Sequence, residues 1–248
     1  METRYFSRAR LRTDTPDLKA LASLAASSLY REHKLAWRFF ANDPDARRDF
    51  LYRRDGNDFY VVSARPPQAD PDLWEMETKP YQPELQAGEV LQFSLRANPV
   101  VSTRLERTPQ AAAEWARNRE RQGLKAREDK RRLVRHDVVM AAKKRMEQQY
   151  GEAWWKNADR EELVHAAADA WLEDQGKNHG FIAGDFSATA YRRETFKDGM
   201  GRQAVIARLD FTGTLQVADP QAFHAALFNG IGPAKGFGCG LLLVRRVE

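Results

Sequence analysis

The stretch Phe50-Leu-Tyr-Arg-Arg54-Asp55-Gly56-Asn57-Asp58-Phe59-Tyr-Val-Val-Ser-Ala64 decides how the first third of the chain is read. Phe50 to Arg54 and Phe59 to Ala64 are rich in aromatic and β-branched residues and flank Asp55-Gly56-Asn57, a combination that closes β-hairpins because it tolerates positive φ. Pro66 and Pro67, which carry no N–H to donate, end the second strand. Upstream, Thr15-Pro16-Asp17 offers a capped helix start, and Leu18 to Phe40 has the spacing of a long amphipathic helix. Asn42-Asp43-Pro44 stops it. Before the helix, Arg4 to Leu11 alternates and is expected to be a strand. The first part is therefore strand, helix, strand, strand, closed by Pro80, Pro83 and Gly88. A second helix is hard to place between Pro67 and Gly88.

The same order recurs downstream. Val90 to Ala97 is a strand, Pro109 to Gln122 is helical, and Glu161 to Gln175 carries Leu163, Val164, Ala167, Trp171 and Leu172 on one face of a helix. Phe186 to Phe196 and Ala204 to Leu215 read as strands around the polar tip Lys197 to Gln203. Asp219 starts a short helix ending near Asn229, and Leu241 to Val244 is a last strand. This pattern predicts an α+β protein of two tandem ferredoxin-like (βαββαβ) domains, residues 1–88 and 89–248, each an antiparallel sheet with helices on one face.

Composition bounds the function. Of 248 residues, 42% are hydrophobic and 30% charged, and no apolar run approaches the roughly 18–20 residues of a membrane helix. Met1 to Leu11 has no apolar core of a secretory signal. The lone Cys239 excludes an internal disulfide framework and a cysteine-based zinc site. A cytoplasmic protein is expected. The formal net charge is +5, and it is concentrated: Arg117 to Arg145 holds twelve Lys or Arg against four Asp or Glu, so the rest of the chain is net acidic. Such a block suits a polyanion, and it equally suits a solvated helix face.

Gly230-Ile-Gly232-Pro-Ala-Lys235-Gly236-Phe-Gly238-Cys239-Gly240 is neither a P-loop, lacking Ser or Thr after Gly-Lys, nor a dinucleotide fingerprint, since it follows a helix and precedes a strand. It is read as a ligand-contacting loop, with a tight helix-to-strand crossover as the alternative. On the first helix Tyr30 and His33 share a face, three residues apart, and Lys34 and Arg38 form a basic pair four apart. A histidine, a tyrosine and cations suit RNA cleavage. The RNA brings its own 2′-hydroxyl nucleophile and needs proton transfer and positive charge from the protein. Beside the stripe of Leu29, Ala36, Trp37 and Phe40, His33 also reads as ordinary core filler. His136, inside the basic block, is the rival; His165, His179 and His224 have no convergent partners. No histidines have metal-ligand spacing, and Asp43, Asp45, Glu161 and Glu162 look like helix-start acids, so neither metal nor cofactor is expected.

The glycine-rich ending, Gly230 through Leu242, resembles the C-terminus of the CasE family, the CRISPR repeat endoribonucleases of the type I-E Cascade system. Leu29-Tyr30-Arg31-Glu32-His33 resembles that family's Tyr-x-x-His helix, Asp43 to Leu51 its helix exit, and Phe93-Ser-Leu95-Arg96-Ala97-Asn98-Pro99 its central strand. The resemblance implies two ferredoxin-like domains and a basic groove that binds the repeat hairpin. It also implies cleavage at the hairpin's 3′ base and retention of the product with other Cascade subunits, with no small-molecule cofactor and no membrane. It places His33 and Tyr30 in the catalytic site; from its place next to His33, Lys34 or another groove cation is expected to stabilise the charge on phosphorus. RNA contacts are expected from Arg38, Arg96, Arg131, Arg132, Arg192, Arg193, Lys197, Arg202, Lys235, Gly236 and Gly238. A non-catalytic RNA-binding subunit of a ribonucleoprotein explains the same charge without needing His33.

Overall fold

A computed structural model describes residues 3–14, 28–40, 48–124, 131–151, 154, 158–197 and 203–247; at 103–105, 131–133, 196 and 197 it describes only the backbone. The first sheet contains β1 (Tyr5–Leu11), β2 (Phe50–Asp55), β3 (Asp58–Ser63) and β4 (Trp74–Pro80), in the order β2-β3-β1-β4, every neighbour antiparallel. The β2–β3 hairpin closes on Gly56-Asn57 alone. Asp55 stays in the strand opposite Asp58, and Gly56 takes the positive φ of +60° that the turn demands.

Helix α1 (Leu29–Arg38) is shorter than the sequence suggests. Ser28 is extended, and its hydroxyl accepts from the Arg31 N–H, so the helix starts at Leu29 rather than Leu18; residues 18–27 lie outside the described residues. The turn after α1 drives Phe39 and Phe40 into a core with Phe50, Tyr52, Phe59 and Trp74. No helix fills residues 64–73; the chain returns instead to β4, which pairs with β1. Only Trp74 of β4 is buried. A mostly polar edge strand ending in Pro80 carries almost no hydrophobic signal, and an edge is where a strand tolerates proline.

The second sheet joins β5 (Val90–Ala97), β8 (Phe181–Lys197), β9 (Gln203–Val217) and β10 (Leu242–Arg246) in the order β10-β5-β9-β8, again antiparallel throughout. Counted along the chain within each sheet, the second has the order fourth, first, third, second, and the first sheet read from its β4 edge has the same order. Helices α4 (Arg160–His179) and α5 (Pro220–Asn229) bury Trp171, Leu172, Phe223 and Leu227 against Phe211, Leu209 and Leu215. Asp159 and Asp219 cap both helices through their carboxylates.

Between β5 and α4 lies an insertion. Strands β6 (Val100–Glu106) and β7 (Arg131–Asp137) pair only with each other among the described residues, α2 (Pro109–Arg121) links them, and α3 (Val138–Tyr150) follows. Sequence patterning reveals α2 but not β6, β7 or α3. Arg-Arg-Leu-Val-Arg-His-Asp reads as solvated charge, because alternation cannot be seen where nearly every residue is polar. No helix among the described residues is long and apolar enough to cross a membrane.

Candidate active site

The glycine-rich segment is both a crossover and a wall. Helix α5 stops at Gly230, the Ile231 N–H donates to the Gly240 carbonyl at 2.9 Å, and the Gly240 N–H donates to the Arg96 carbonyl of β5 at 2.7 Å. A Cβ on Gly240 would stand 2.7 Å from the Ile231 carbonyl oxygen, at a φ of +89°, so only glycine fits there. Held at its base in this way, the loop carries a 3-10 turn, Lys235–Phe237, to the face of α1.

There His33 Nδ1 lies 2.7 Å from the Gly236 carbonyl oxygen, and the Tyr52 hydroxyl donates to the same oxygen at 3.1 Å. A carbonyl can only accept, so Nδ1 carries the proton and Nε2 is left to exchange one. The ring is fixed on its other sides. Phe237 stacks on it at 5.4 Å between centroids, Tyr30 lies near-parallel at 6.4 Å, and Trp37 meets it edge-on at 6.3 Å. Tyr52 is fully buried, and burial pushes its phenol well above the ordinary range, so it remains a donor.

The Lys34 ammonium sits 4.6 Å from the centre of the Tyr30 ring. Arg38 is exposed and lies about 140° around the helix from His33. The cations near the Gly236 turn are Arg48 and Lys235. An Arg48 guanidinium nitrogen lies 4.0 Å from the point a Gly236 Cβ would occupy, and His33 Nδ1 lies 3.6 Å from that point. Burial lowers the pKa of both cations, and the charge of Arg48 lowers Lys235 further. Neither has an acidic partner among the described residues. Two crowded cations that lack an acidic partner among the described residues, beside a histidine, can hold an anion.

On the far side of α1, Glu32 lies 3.8 Å from Arg54 and 3.9 Å from Arg208, which also pairs with Glu194. Burial raises the Glu32 carboxyl, and Arg208, Arg54 and Arg96 oppose that rise. Arg96 is consumed in tying the sheets together: bidentate to Asp210 at 2.7 and 2.8 Å, it also donates to the Arg54 carbonyl at 2.7 Å and lies 3.2 Å from Asp55. It thus bridges the sheets, and most of its side chain is buried. A cavity of about 300 Å³ opens beside this network, with Arg192 on its wall.

Arg192 and Arg193 part company. Arg192 faces that cavity, whereas Arg193 points to the opposite face of β8, 3.7 Å from Asp137, because strand neighbours alternate. Arg131, Arg132 and Lys197 are placed in strands without described side chains, and Arg202 lies outside the described residues. Gly238, at φ +75°, lies against the Tyr52 ring, within 3.4 Å of it for an added Cβ. His136 lies opposite Val101 in the insertion and lines a cleft there. His165 stacks on Phe186, and His224 meets Phe228 edge-on. Sequence reasoning missed Tyr52, Phe237 and Arg48. Tyr52 lies in a strand segment whose first three residues are all buried, so it has the pattern of core. No group of three or more His, Cys, Asp or Glu among the described residues is arranged to hold a metal.

A family model described as CRISPR associated protein matches residues 4–246. The chain is 28% identical over 228 residues to the CRISPR system Cascade subunit CasE of Escherichia coli, a match that covers 90% of this chain and 94% of that protein. It is 31% identical over 166 residues to the CRISPR-associated endoribonuclease Cse3 of Thermus thermophilus, covering 67% of this chain and 60% of that protein. Among solved structures, Cse3 bound to a 19-nucleotide RNA superposes with a TM-score of 0.58 at 22% identity, over 98% of this chain and 99% of that one. The Escherichia coli Cas6e crystal structure gives 0.56 at 24%, over 98% and 100%. These likenesses carry the α+β fold of two antiparallel four-stranded sheets, and with the match along nearly the whole sequence the chain belongs to the CasE/Cse3 (Cas6e) family of CRISPR-associated proteins of type I-E Cascade.

Proposed function

We propose that this chain is a metal-independent endoribonuclease that binds the CRISPR repeat hairpin, cuts precursor CRISPR RNA, and stays with the product among other Cascade subunits in the cytoplasm. The observation that carries the proposal is His33, its Nδ1 proton engaged by the Gly236 carbonyl and its ring packed by Phe237, beside Arg48 and Lys235, which have no acidic partner among the described residues. The 2′-hydroxyl upstream of the scissile bond attacks the adjacent phosphorus, and the bond to the leaving 5′-oxygen breaks. His33 Nε2 moves the proton, taking it from the nucleophile or giving it to the leaving oxygen. Tyr30 orients the reacting groups. Lys235 and Arg48 stabilise the charge that builds on phosphorus, while Lys34, stacked on Tyr30, holds that ring.

In the same reading the two sheets are ferredoxin-like units divided near residues 88 and 89, the first without its second helix, with the basic groove between them. The match of strand order supports this. Arg192 serves the hairpin, as do Lys197, Arg202, Arg131, Arg132 and Arg38 from the rim, and Gly236 and Gly238 keep the loop thin enough for RNA to approach.

The test is single-turnover cutting of the repeat RNA from the protein's own array. His33→Ala slows cutting by about 10²–10⁴-fold and leaves hairpin binding nearly intact. The products carry a 2′,3′-cyclic phosphate and a 5′-hydroxyl, and a 2′-deoxy nucleotide at the cut site blocks the reaction. Normal cutting of the deoxy substrate makes water the nucleophile and ends this mechanism. Full activity in His33→Ala with loss in His136→Ala moves the chemistry to the insertion. No cutting by the unaltered chain leaves the non-catalytic RNA-binding subunit.

A further inference from the structure

Beyond the start of β7, where Arg131 and Arg132 stand, the insertion that carries the basic block has no task in the mechanism above, yet it builds a large cleft, about 1260 Å³, between the β6–β7 ribbon, α3 and α4. Its lining is net basic, with Arg135, Lys143, Lys144, Arg145 and Arg193 against Asp137, Glu147 and Asp174. Lys143 pairs with Glu147 at 3.5 Å and Arg193 with Asp137, which Tyr191 also engages. Arg135, Lys144 and Arg145, which line the cleft, have no acidic partner among the described residues. Val101, Met140 and Val205 are exposed large hydrophobics that also line it. Its last wall is Pro233 and Ala234. That wall adjoins the active-site loop, since the Phe237 N–H donates to the Ala234 carbonyl at 2.8 Å and Gly236 between them touches His33. The cleft and the reaction site thus share one turn of backbone.

We infer that this cleft holds the single-stranded RNA immediately downstream of the cut, the segment present only in the uncut precursor. The inference rests on the endoribonuclease reading, because it takes the scissile phosphate to lie at His33. With the hairpin upstream of that phosphate, the strand leaving the site on the other side is the downstream one. Cations without an acidic partner among the described residues meet its phosphates, and the exposed apolar side chains offer contact to ribose and base faces. Cutting releases this segment as a separate chain, so the protein loses these contacts to product and keeps those to the hairpin.

The experiment compares three RNAs, each with a 2′-deoxy nucleotide at the cut site: the repeat hairpin alone, the hairpin with eight downstream uridines, and the hairpin with the same eight uridines upstream. Affinities are read by fluorescence anisotropy at ~50 and ~200 mM salt, for the unaltered chain and for a variant carrying Arg135→Gln, Lys144→Gln and Arg145→Gln. The downstream flank should tighten binding at least about tenfold at the lower salt. Three phosphate contacts should steepen the salt slope by about 2, so a gain of that size is essentially gone at the higher salt. The upstream flank should add little. The triple variant should lose the gain while binding the bare hairpin as before; its fold is checked by an unchanged denaturation midpoint. A downstream gain that survives in the triple variant, or an equal gain from the upstream flank, overturns the assignment of the cleft and leaves the endoribonuclease reading standing. Failure of the unaltered chain to bind the bare hairpin overturns both. If an octaglutamate peptide competes with the downstream flank as well as oligouridylate of the same length does, the cleft is an acidic-protein site, and the RNA assignment falls.

Discussion

Tyr52→Phe removes one oxygen from the centre of the site and nothing else. The ring keeps its place against Phe50 and Phe59, at centroid distances of 6.4 and 6.1 Å, and against Gly238. What disappears is one of the two hydrogen bonds to the Gly236 carbonyl; the bond from His33 Nδ1, shorter at 2.7 Å against 3.1 Å, remains. A neutral buried hydrogen bond contributes about 0.5–1.5 kcal/mol net, so the variant should be less stable to urea by about 1 kcal/mol. If all of that is felt as a looser seat for His33 in the transition state, cutting slows about fivefold, far short of the loss expected in His33→Ala. Urea titration and single-turnover cutting of the repeat RNA measure the two effects separately. A hundredfold loss of rate would make the phenol itself a proton carrier and refute the account of Tyr52 as a support. No change in either measurement would show that the loop is held without it.

Three further outcomes follow from the same geometry. With no cluster of metal-binding side chains among the described residues, cutting should persist in excess EDTA; loss of activity that Mg²⁺ restores would sink the acid–base mechanism. Because Arg192 and Arg193 lie on opposite faces of β8, Arg192→Glu should weaken binding of the bare hairpin several-fold and Arg193→Glu should leave it within about twofold; equal losses would put both in one groove. Burial pushes the Cys239 thiol up to about 12, so it stays protonated through the neutral range and its thiolate appears only as the pH nears that value. Ellman's reagent should therefore react slowly with the native protein from about pH 7 to 9 and promptly once urea is added, and prompt reaction near pH 8 without urea would contradict the packing.

How much of this was legible beforehand depended on whether a residue's neighbours in space were also its neighbours in sequence. The β2–β3 hairpin, the capped helices α4 and α5 and the strands β1 and β5 announce themselves through turn chemistry, caps and alternation, all of which act within a few residues. The Tyr30–His33 pair is likewise local, one turn of helix, and the glycine-rich ending carried the family resemblance. Helix α1 was overextended because Ser28 suits a helix face as well as a cap. The edge strand β4 and the ribbon of β6 and β7 are polar, so their pairing is stated only by their partners. The site itself is non-local. Position 236 meets position 33 across 203 residues and position 52 across 184, and only the sheet order that brings the last loop onto α1 decides it. The motif likewise marks Arg96 as a candidate contact, and only the structure shows that Asp210 and the Arg54 carbonyl take three of its donors. The sequence alone determined which residue types are available for chemistry and where the chain turns. The tertiary structure decided which nitrogen of His33 meets the Gly236 carbonyl, which cations lack a counter-charge among the described residues and which face of β8 each arginine takes, because hydrogen bonds and ion pairs are satisfied by distance in space rather than by separation along the chain.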